Sequence, residues 1–591
     1  MPWLTQLFPE ILLAIAACVL ICTGLIKRGS SGAAGIGFGI AKFSCGLAVV
    51  VVLVALGISI QQLSASGSGP LISDPYNAVQ FTPTALFMRP VALAIGVIIL
   101  LLSWPSSASG NASLRYEQES GEYYALILLS LLGMLLSFSA NDLVLLFLAI
   151  ELASIPTYIL VAVSRPYGRA QEAALKYFFL GALSAVILLM GFAYLYGLTG
   201  TTSLSEIARQ FAVPTDLGII VPPVLGTWFV FAMLLIFVGL AFKLAAFPFQ
   251  SYAADVYEGA ATPVTALIGF VPKAVGIVVL LRIIWAISGT TYNLPVPLDH
   301  LLVAIAIITM TFGNVMGLVQ MHSVKRALAY SSVAHSGYLI AGLALLTSRG
   351  DFSVDLSAAK AVLFYLAVYG LTSTAAFGAL SLIPSRSPLR LAGKPIIAPA
   401  TTAENYDDLA GAGRADPVVG LCLALACLGL IGIPLTAGFT GKYLLVAPAF
   451  IDAASRSSFW LGIAILVNSA IGATYYLRII SALFFRAVPQ DAAQNSTLPA
   501  SLQILPLAPL ARPIALIVSV VLASVATLAL GIFAPAVDLL NVNTDAAVRI
   551  TLPQPAVTEP AVIEPAVTDA AVTEAAVNGP FLPEPVSDAS R

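Results

Sequence analysis

Residues 224–257 read VLGTWFVFAMLLIFVGLAFKLAAFPFQSYAADVY, an apolar run that is too long for one straight membrane crossing. A helix that spans a bilayer needs about 20 apolar residues. Pro248 removes a backbone donor and clashes with the preceding turn, so the helix should break there. Lys243 lies a few residues before this point. The stretch predicts a broken transmembrane helix that holds a lysine deep in the membrane.

A second run of the same kind occupies residues 417–451 and reads PVVGLCLALACLGLIGIPLTAGFTGKYLLVAPAFI. Gly432, Pro434 and Gly438 predict that this helix is also broken. Lys442 follows the expected break. Two broken apolar segments that each carry a lysine are the most informative features of the chain.

The composition fits a membrane protein and excludes several other classes. Of the 591 residues, 59% are hydrophobic and 9% are charged, and the mean hydropathy is +0.97. A soluble domain carries about 25% charged residues, so this chain could not cover a soluble core of its size. The net charge of -2 provides no basic field for nucleic acid. A lipid bilayer is the solvent that fits.

Fourteen apolar runs are long enough to span a bilayer, which predicts an all-α polytopic protein with both termini on the same side. They lie at 9–26, 43–60, 85–104, 123–138, 142–163, 172–198, 224–257, 262–287, 301–319, 324–346, 357–383, 417–451, 459–485 and 513–533. The first run lacks a basic segment before it, so we interpret it as a helix and not as a signal peptide.

The broken spans, 7 and 12, are five spans apart. Each is the fourth member of a five-helix set, spans 4–8 and spans 9–13. Because five is odd, the two sets must cross the membrane in opposite senses, as in transporters built from inverted repeats. The alternative is two unrelated proline kinks.

This pattern predicts five regions. Residues 1–118 hold three N-terminal helices, 119–288 the first repeat, 299–487 the second repeat and 488–540 a C-terminal helix. Residues 541–591 repeat a five-residue unit rich in Pro and Ala, and we expect a disordered tail without chemistry.

Lysine and arginine predict the orientation, because they are more frequent in cytoplasmic loops. With the N-terminus outside, the basic residues of the inner loops outnumber those of the outer loops and tail. Both termini should therefore lie on the outer side, and in a bacterium this means the periplasmic side of the inner membrane. The inner residues are Lys27, Arg28, Arg115, Arg165, Arg169, Lys325, Arg326, Arg386, Arg390, Lys394, Arg414, Arg486 and Arg512, and the outer ones are Arg209, Arg349, Arg456, Arg549 and Arg591.

Four ionisable residues lie deep in predicted spans: Glu151, Lys243, Lys273 and Lys442. A charge at the bilayer centre costs at least about 2.5–3.5 kcal/mol, so such residues indicate function. A desolvated lysine releases its proton more readily than one in water. The set predicts a proton path in which Glu151 helps Lys243 to load. Alternatively, Glu151 and Lys243 form a static ion pair, which would leave Lys273 and Lys442 without an acidic partner at depth.

Two further residues have open roles. His335 lies mid-span beside Ser332 and Tyr338 and could relay protons or be a hydrogen-bonded structural residue. Lys176 lies near the inner end of span 6, where it could join the path or reach the membrane interface.

The sequence predicts no cofactor or metal site in this chain. Its five cysteines, Cys18, Cys22, Cys45, Cys422 and Cys427, lie in apolar runs where we expect buried, inert thiols. No spacing suits an iron–sulfur cluster, and neither a nucleotide loop nor a dinucleotide fingerprint is present. The energy for proton movement must therefore come from another subunit.

Six stretches in this order resemble subunit N of bacterial NADH:quinone oxidoreductase, complex I, an antiporter-like family. They are ELASIPTY (151–158), EAALKY (172–177), FKLAAFPF (242–249), DVYEGAATPVTA (255–266), KRALAYSSVAHSGY (325–338) and IPLTAGFTGK (433–442). The likeness covers about residues 120–490 and does not extend to the tail.

The resemblance implies a subunit that translocates protons when quinone is reduced elsewhere in the complex. Glu151 resembles the glutamate of helix five, Lys243 its partner on broken helix seven, Lys273 the central relay on helix eight, and Lys442 the lysine facing the outer exit. NADH, FMN, iron–sulfur clusters and quinone would bind to other subunits. Partners would be sister antiporter-like subunits and small membrane subunits.

The alternative is a cation/proton antiporter subunit without a redox partner, which would use the same residues. The DVYEGA stretch and Lys273 favour the complex I subunit.

Overall fold

The computed structural model describes residues 2–28, 34–65, 72–105, 121–165, 168–211, 223–288, 296–347, 356–385, 388–391, 394–399, 402–451, 456–487 and 514–532. The elements in chain order are α1 (Pro2–Gln6), α2 (Phe8–Arg28), α3 (Ala34–Ala65), β1 (Ile72–Ser73), β2 (Gln80–Phe81), α4 (Pro83–Leu102), α5 (Gly121–Ser139), α6 (Leu143–Val163), α7 (Gly168–Thr199), α8 (Leu204–Phe211), α9 (Pro223–Lys243), a 3-10 helix (Phe249–Tyr252), α10 (Ala253–Gly259), α11 (Thr262–Ser288), α12 (Val296–Val319), α13 (Val324–Thr347), α14 (Leu356–Leu382), β3 (Pro388–Leu391), β4 (Lys394–Pro399), α15 (Tyr406–Leu409), α16 (Ala412–Ala415), α17 (Pro417–Ile431), α18 (Ala437–Ile451), α19 (Arg456–Phe484) and α20 (Ile514–Ile532).

Long apolar helices dominate the structure. Twelve helices of the described ranges are long and apolar enough to cross a membrane, and two shorter apolar helices, Phe8–Gly24 and Pro417–Ile431, accompany them. Each predicted span falls on one helix or, for spans 7 and 12, on a series of shorter ones. The predicted all-α, polytopic membrane fold is confirmed. The sequence analysis did not foresee the two small antiparallel hairpins, β1–β2 and β3–β4.

Both predicted helix breaks are present. α9 ends at Lys243, and residues 244–248 leave helical geometry before the chain resumes as the 3-10 helix and α10. Residues 432–436 separate α17 from α18. Each break holds a residue other than glycine in the left-handed region, Ala245 (φ 51°) and Leu435 (φ 77°). Such a conformation costs about 1–3 kcal/mol and persists only where its surroundings enforce it.

The two five-helix sets pack in the same order. In the first set, α5 contacts α6, α6 contacts α7, α7 contacts the broken helix α9–α10, and α11 returns to α5. In the second set, α12, α13, α14, the broken helix α17–α18 and α19 repeat these contacts. Because the sets start five spans apart, they cross in opposite senses. This arrangement is the predicted inverted repeat.

Two glycines show the correspondence in detail. A Cβ on Gly133 of α5 would lie 2.2 Å from the backbone nitrogen of Ala153 in α6, and a Cβ on Gly313 of α12 would lie 2.5 Å from that of Ala334 in α13. No side chain fits at either distance. Glycine therefore lets the first two helices of each set approach along their backbones.

Connections gather polar residues at both ends of the bundle. We name the end where α6 meets α7 and where the α12–α13 connection meets residues 402–416 the basic end. There the backbone nitrogen of Val324 donates to Glu404 O at 2.9 Å. At the opposite end, Asn77 donates to Ser205 Oγ at 2.8 Å and Asn141 donates to Asn77 O at 2.9 Å. Which end faces the cytoplasm stays a prediction.

Some sequence predictions fall outside the described residues. These include the tail 541–591, the side chains of Lys27 and Arg28, and Arg115, Arg349, Arg386, Arg512, Arg549 and Arg591. The domain boundaries near 118, 288–299 and 488 lie within or beside undescribed ranges, and they also stay predictions.

Candidate functional site

Glu151 and Lys243 form a buried ion pair between α6 and the end of α9. Lys243 Nζ lies 2.9 Å from Glu151 Oε1, and the two side chains are 2% and 16% exposed. The ammonium also donates to Ser154 Oγ at 2.8 Å and lies 3.3 Å from Tyr158 OH. Glu151, Ser154 and Tyr158 share one face of α6, since they are three and four residues apart. All three donors of Lys243 are therefore satisfied by one helix.

Lys273, in the middle of α11, is held by uncharged oxygens. Its ammonium donates to Ser332 O at 2.5 Å and Tyr369 OH at 3.0 Å, and also to Ser332 Oγ. It lies 4.7 Å from the centre of the Tyr369 ring, within range of a cation–π interaction. Among the described residues, Lys273 forms no ion pair. Lys273 thus links α11 of the first set to α13 and α14 of the second.

The helix that carries Lys273 also passes beside Lys243. A Cβ on Gly276, three residues after Lys273, would lie 3.7 Å from the Cβ of Lys243. The side chain of Leu244 fills the remaining space there. Lys273 and the neighbour of Lys243 are therefore one turn apart on α11. No hydrogen bond joins the two described lysine side chains.

His335 has a hydroxyl partner on each ring nitrogen. Nδ1 lies 2.7 Å from Tyr365 OH and Nε2 lies 3.2 Å from Tyr476 OH. Tyr476 in turn bonds to Ser331. The His335 ring centroid is 4.9 Å from that of Tyr369, which also contacts Lys273. This arrangement suits both a relay and a structural histidine.

Of the two neighbours that the sequence suggested for His335, Tyr338 packs its ring edge-on against the imidazole, with the ring centroids 5.5 Å apart, but the hydroxyls of both neighbours have other partners. Ser332 contacts Lys273 instead, and the hydroxyl of Tyr338 accepts from Asn314 at 2.9 Å. Ser332 and His335 are three residues apart and so lie on the same side of α13, where Ser332 contacts Lys273 and His335 contacts other hydroxyls. The actual hydroxyl partners come from α14 and α19.

Lys442 lies in the first turns of α18 and contacts the end of α17. It donates to Leu430 O at 3.0 Å and Ile431 O at 2.9 Å. These carbonyls are exposed by the break, because the last turn of a helix leaves its acceptors unpaired. A cation is favoured there by the helix dipole. Lys442 also lies 4.9 Å from the centre of the Tyr338 ring.

Lys176 is separate from this buried set. It is exposed at the basic end, where it forms ion pairs with Glu172 at 2.7 Å and Asp255 at 2.8 Å. This position agrees with a location at the membrane interface. Two carboxylates pair with the ammonium there.

The hydroxyl groups between the charged residues were not predicted from the sequence. Tyr257 OH lies 2.7 Å from Ser332 Oγ, and Tyr369 and Tyr365 contact Lys273 and His335. The spacing of Tyr365 and Tyr369, four residues apart on an apolar helix, was a usable signal. Nothing local indicated Tyr257.

A second buried ion pair was also missed. Arg89 of α4 pairs with Glu10 of α2, and it donates to Gln62 at 3.0 Å and Gln6 O at 2.7 Å. Both charged side chains are buried. The pair joins the first three long helices and lies away from the lysine row.

The cysteines differ in part from the expectation of buried thiols. Cys45, Cys422 and Cys427 are buried, but Cys18 and Cys22 are exposed on the surface of the chain. No cluster of three or more His, Cys, Asp or Glu that could hold a metal occurs within the described ranges.

The comparisons with known proteins agree with this architecture. The family model for "NADH:quinone oxidoreductase/Mrp antiporter, TM" matches residues 140–472. NADH-quinone oxidoreductase subunit N 1 of Solibacter usitatus is 34% identical over 536 residues, which cover 89% of this chain and 94% of the relative. NADH-quinone oxidoreductase subunit N of Salinibacter ruber is 37% identical over 410 residues, 69% of this chain and 73% of the relative.

A solved structure extends the likeness to three dimensions. A chain of respiratory complex I from Thermus thermophilus is 29% identical with a TM-score of 0.64, covering 90% of this chain and 99% of that one. The match to the family model spans more than half of this chain and contains all four predicted proton-transfer residues. The chain therefore belongs to the NADH:quinone oxidoreductase/Mrp antiporter family of membrane proteins.

Proposed function

We propose that this chain is the N-type proton-translocating subunit in the membrane arm of a respiratory NADH:quinone oxidoreductase of the complex I type. The observation that carries the proposal is a row of buried ionisable and hydroxyl groups that crosses both five-helix sets. The row runs from Glu151 and Lys243 through Lys273 and His335 to Lys442. The relatives named above support the redox assignment.

The first set holds a proton on Lys243 and releases it. Lys243 is held by a carboxylate and two hydroxyls on α6, and its backbone stands at the edge of the break. When the ion pair is closed, Glu151 stabilises the protonated lysine. When the pair opens, a buried ammonium without a counter-charge releases its proton. Movement at the strained break next to Lys243 would suffice to change the distance between the two residues.

The second set passes the proton to the exit. Lys273 lies among Ser332, Tyr369 and Tyr257, which can donate and accept hydrogen bonds. His335 continues this row through the ring of Tyr369. Lys442 receives the proton at the second break, where the carbonyls at the end of α17 stabilise an ammonium.

The energy comes from outside the chain. Moving one charge across 100 mV requires about 2.3 kcal/mol. Quinone reduction in other subunits supplies it, and NADH, FMN, iron–sulfur clusters and quinone bind to those subunits. This chain contributes to the oxidoreductase translocase as a non-redox subunit, and its partners are the sister antiporter-like subunits, small membrane subunits and the lipid bilayer.

Purification in mild detergent tests this assignment. The chain should co-isolate with flavin and iron–sulfur proteins, and the assembled complex should pump protons in sealed vesicles when NADH is oxidised. Isolation of a lone chain that exchanges cations for protons without a redox partner would contradict the proposal and favour the antiporter.

A further inference from the structure

A second lysine–glutamate pair lies at the basic end, outside the row described above. Lys325, the second residue of α13, is fully buried, and its Nζ lies 3.6 Å from Glu404 Oε1. The side chain of Glu404 is 25% exposed at the basic end. The arrangement repeats that of Glu151 and Lys243, a buried lysine beside a partly exposed carboxylate.

The chain holds Glu404 in this position through its backbone. Glu404 O accepts from Val324 N at 2.9 Å, and Glu404 N donates to Asp408 Oδ2 at 3.0 Å. Ala403 N donates to Ile383 O at 2.8 Å. Arg165, at the end of α6, donates to Glu404 Oε1 at 2.5 Å. The loop is therefore fixed onto three helices, with one carboxylate between two cations.

A short segment connects this pair to Lys273. Lys325 Nζ donates to Ala260 O at 3.2 Å, directly after α10. Tyr257, three residues earlier, contacts Ser332 Oγ at 2.7 Å, and Ser332 holds Lys273. Ser332 also lies seven residues after Lys325, which places both on one face of α13.

We propose that Glu404 and Lys325 form a proton-loading site at the basic end, which supplies Lys273. Neutral Lys325 takes one proton from water at this end and becomes an ammonium that Glu404 and the Ala260 carbonyl stabilise. It then gives up that proton towards Tyr257, Ser332 and Lys273 and returns to the amine. The inference rests on the proposed function, because it gives the row of buried groups a source of protons.

Other charged groups surround the site and balance each other. Arg326, also on α13, pairs with Asp255 and with Glu258 at 3.4 Å, both on α10. Lys176 of α7 pairs with Asp255 at 2.8 Å. The charged and titratable groups that face or neighbour the pair are Arg165 of α6, Lys176 and Glu172 of α7, Asp255 and Glu258 of α10, Arg326 of α13 and Asp408 of the loop.

Replacing Lys325 by arginine in the assembled complex distinguishes a role in proton transfer from a purely structural role. Arginine keeps the positive charge and can pair with Glu404, but it does not release a proton at physiological pH. We expect NADH-driven pumping in proteoliposomes to fall by about 10²-fold, since a positioned proton donor typically contributes that much or more. A pumping rate equal to that of the wild type would overturn the proposal.

The variants Glu404→Gln and Glu404→Asp test the role of the carboxylate. Glutamine can still accept from Arg165, so the loop should stay docked, but it carries no charge to stabilise protonated Lys325. Pumping per quinone reduced should fall more strongly at about pH 8 than at about pH 6, where protons are plentiful, and aspartate should restore part of it. An equal loss at both pH values without rescue by aspartate would indicate a structural role only and contradict the proposal.

Asp407→Asn is the matched control. Asp407 lies in the same loop and pairs with Arg486 at 2.6 Å, but it is 64% exposed and does not contact the loading site. Its loss should leave pumping unchanged. The two proposals can fail separately. If Lys442→Ala blocks pumping by the complex but Lys325→Arg does not, the proposed loading site is wrong while the proposed function stands.

Discussion

Lys273 Nζ lies 2.5 Å from the backbone carbonyl oxygen of Ser332, and it donates to the hydroxyl of the same residue. Lys273 belongs to the first five-helix set and Ser332 to the second. This contact joins the two sets at depth through a charge and two oxygens, without an acidic residue in reach among the described side chains. Any shift of α13 against α11 would therefore change how the lysine is stabilised.

Removing the hydroxyls beside this contact should slow proton transfer without loss of packing. Tyr369→Phe removes an acceptor from Lys273, and Tyr365→Phe removes the partner of His335 Nδ1, while both rings remain. We expect each change to reduce pumping by about tenfold or more, because positioned proton donors contribute 10²–10⁴-fold. Proton uptake in vesicles containing the assembled complex measures the effect.

Tyr196→Phe is the control, since Tyr196 is half-exposed on α7. Unchanged pumping in the Tyr365 and Tyr369 variants would show that these hydroxyls only fill the core.

Lys442→Ala should block proton exit while the complex stays assembled and still reduces quinone at least in part. The alanine leaves the carbonyls of Leu430 and Ile431 without their cation, whereas the packing of α18 against α14 and α19 remains. Pumping and quinone reduction are measured on the same vesicles. Tyr443→Phe, at an exposed position next to Lys442 on α18, serves as the control and should pump as the wild type does. Full pumping in Lys442→Ala would rule out an obligatory role.

Glu151 and Lys243 can be tested as a switch or as a static pair. Replacing both residues by alanine should be nearly harmless if they only hold helices together, because apolar replacement of buried pairs is often neutral. If Lys243 carries the proton, the double variant cannot pump. The Glu206→Ala variant, which breaks only a surface pair with Arg209, should behave as the wild type.

The single variants should differ in their response to pH. Glu151→Ala removes the charge that helps Lys243 to hold a proton, so pumping should be poor near neutral pH and partly recover towards about pH 6. Lys243→Ala removes the carrier and should not recover. Normal pumping by the double variant would end the switch hypothesis.

Acid should weaken, without abolishing, the docking of the loop that carries Glu404. Burial alone would raise the pKa of Glu404, but Lys325 and Arg165 outweigh burial and lower it below its usual 4.5. The paired carboxylate therefore stabilises the docked loop above pH 4.5, and this contribution is lost as pH falls through the lowered pKa. The protection of the Ala403 amide, whose N–H donates to Ile383, should fall at acid pH when its exchange rate is compared with the intrinsic rate of an unstructured amide at the same pH.

Glu404→Gln should remove most of this pH dependence, whereas Asp407→Asn should retain it. A protection factor at Ala403 that does not change with pH in the wild type would contradict the assignment.

Cysteine labelling with an impermeant reagent tests the orientation. The buried position of Gly411 and its φ of 69° make it unsuitable for a cysteine, although it lies in the predicted inner loop. Asp407 and Tyr76 are better sites, since they are 64% and 91% exposed at opposite ends of the bundle. We expect Asp407→Cys to react only from the cytoplasmic side and Tyr76→Cys only from the outer side.

The exposed Cys18 and Cys22 should first be replaced by alanine. Reaction of Asp407→Cys with the reagent from outside would show that the topology is the reverse of the predicted one.

The membrane fold, the two helix breaks and the four charged residues at depth could be predicted from the residues alone. These features are local: apolar length, the missing donor of proline and the cost of burying a charge are properties of a residue and its neighbours. How these residues are stabilised follows from the tertiary structure. Ser332 and Tyr369 lie far from Lys273 in the chain, and Glu404 reaches Lys325 from a separate loop. Such contacts depend on how helices pack across the two repeats, which hydropathy does not encode, because apolar helix faces of similar composition can pack in more than one way.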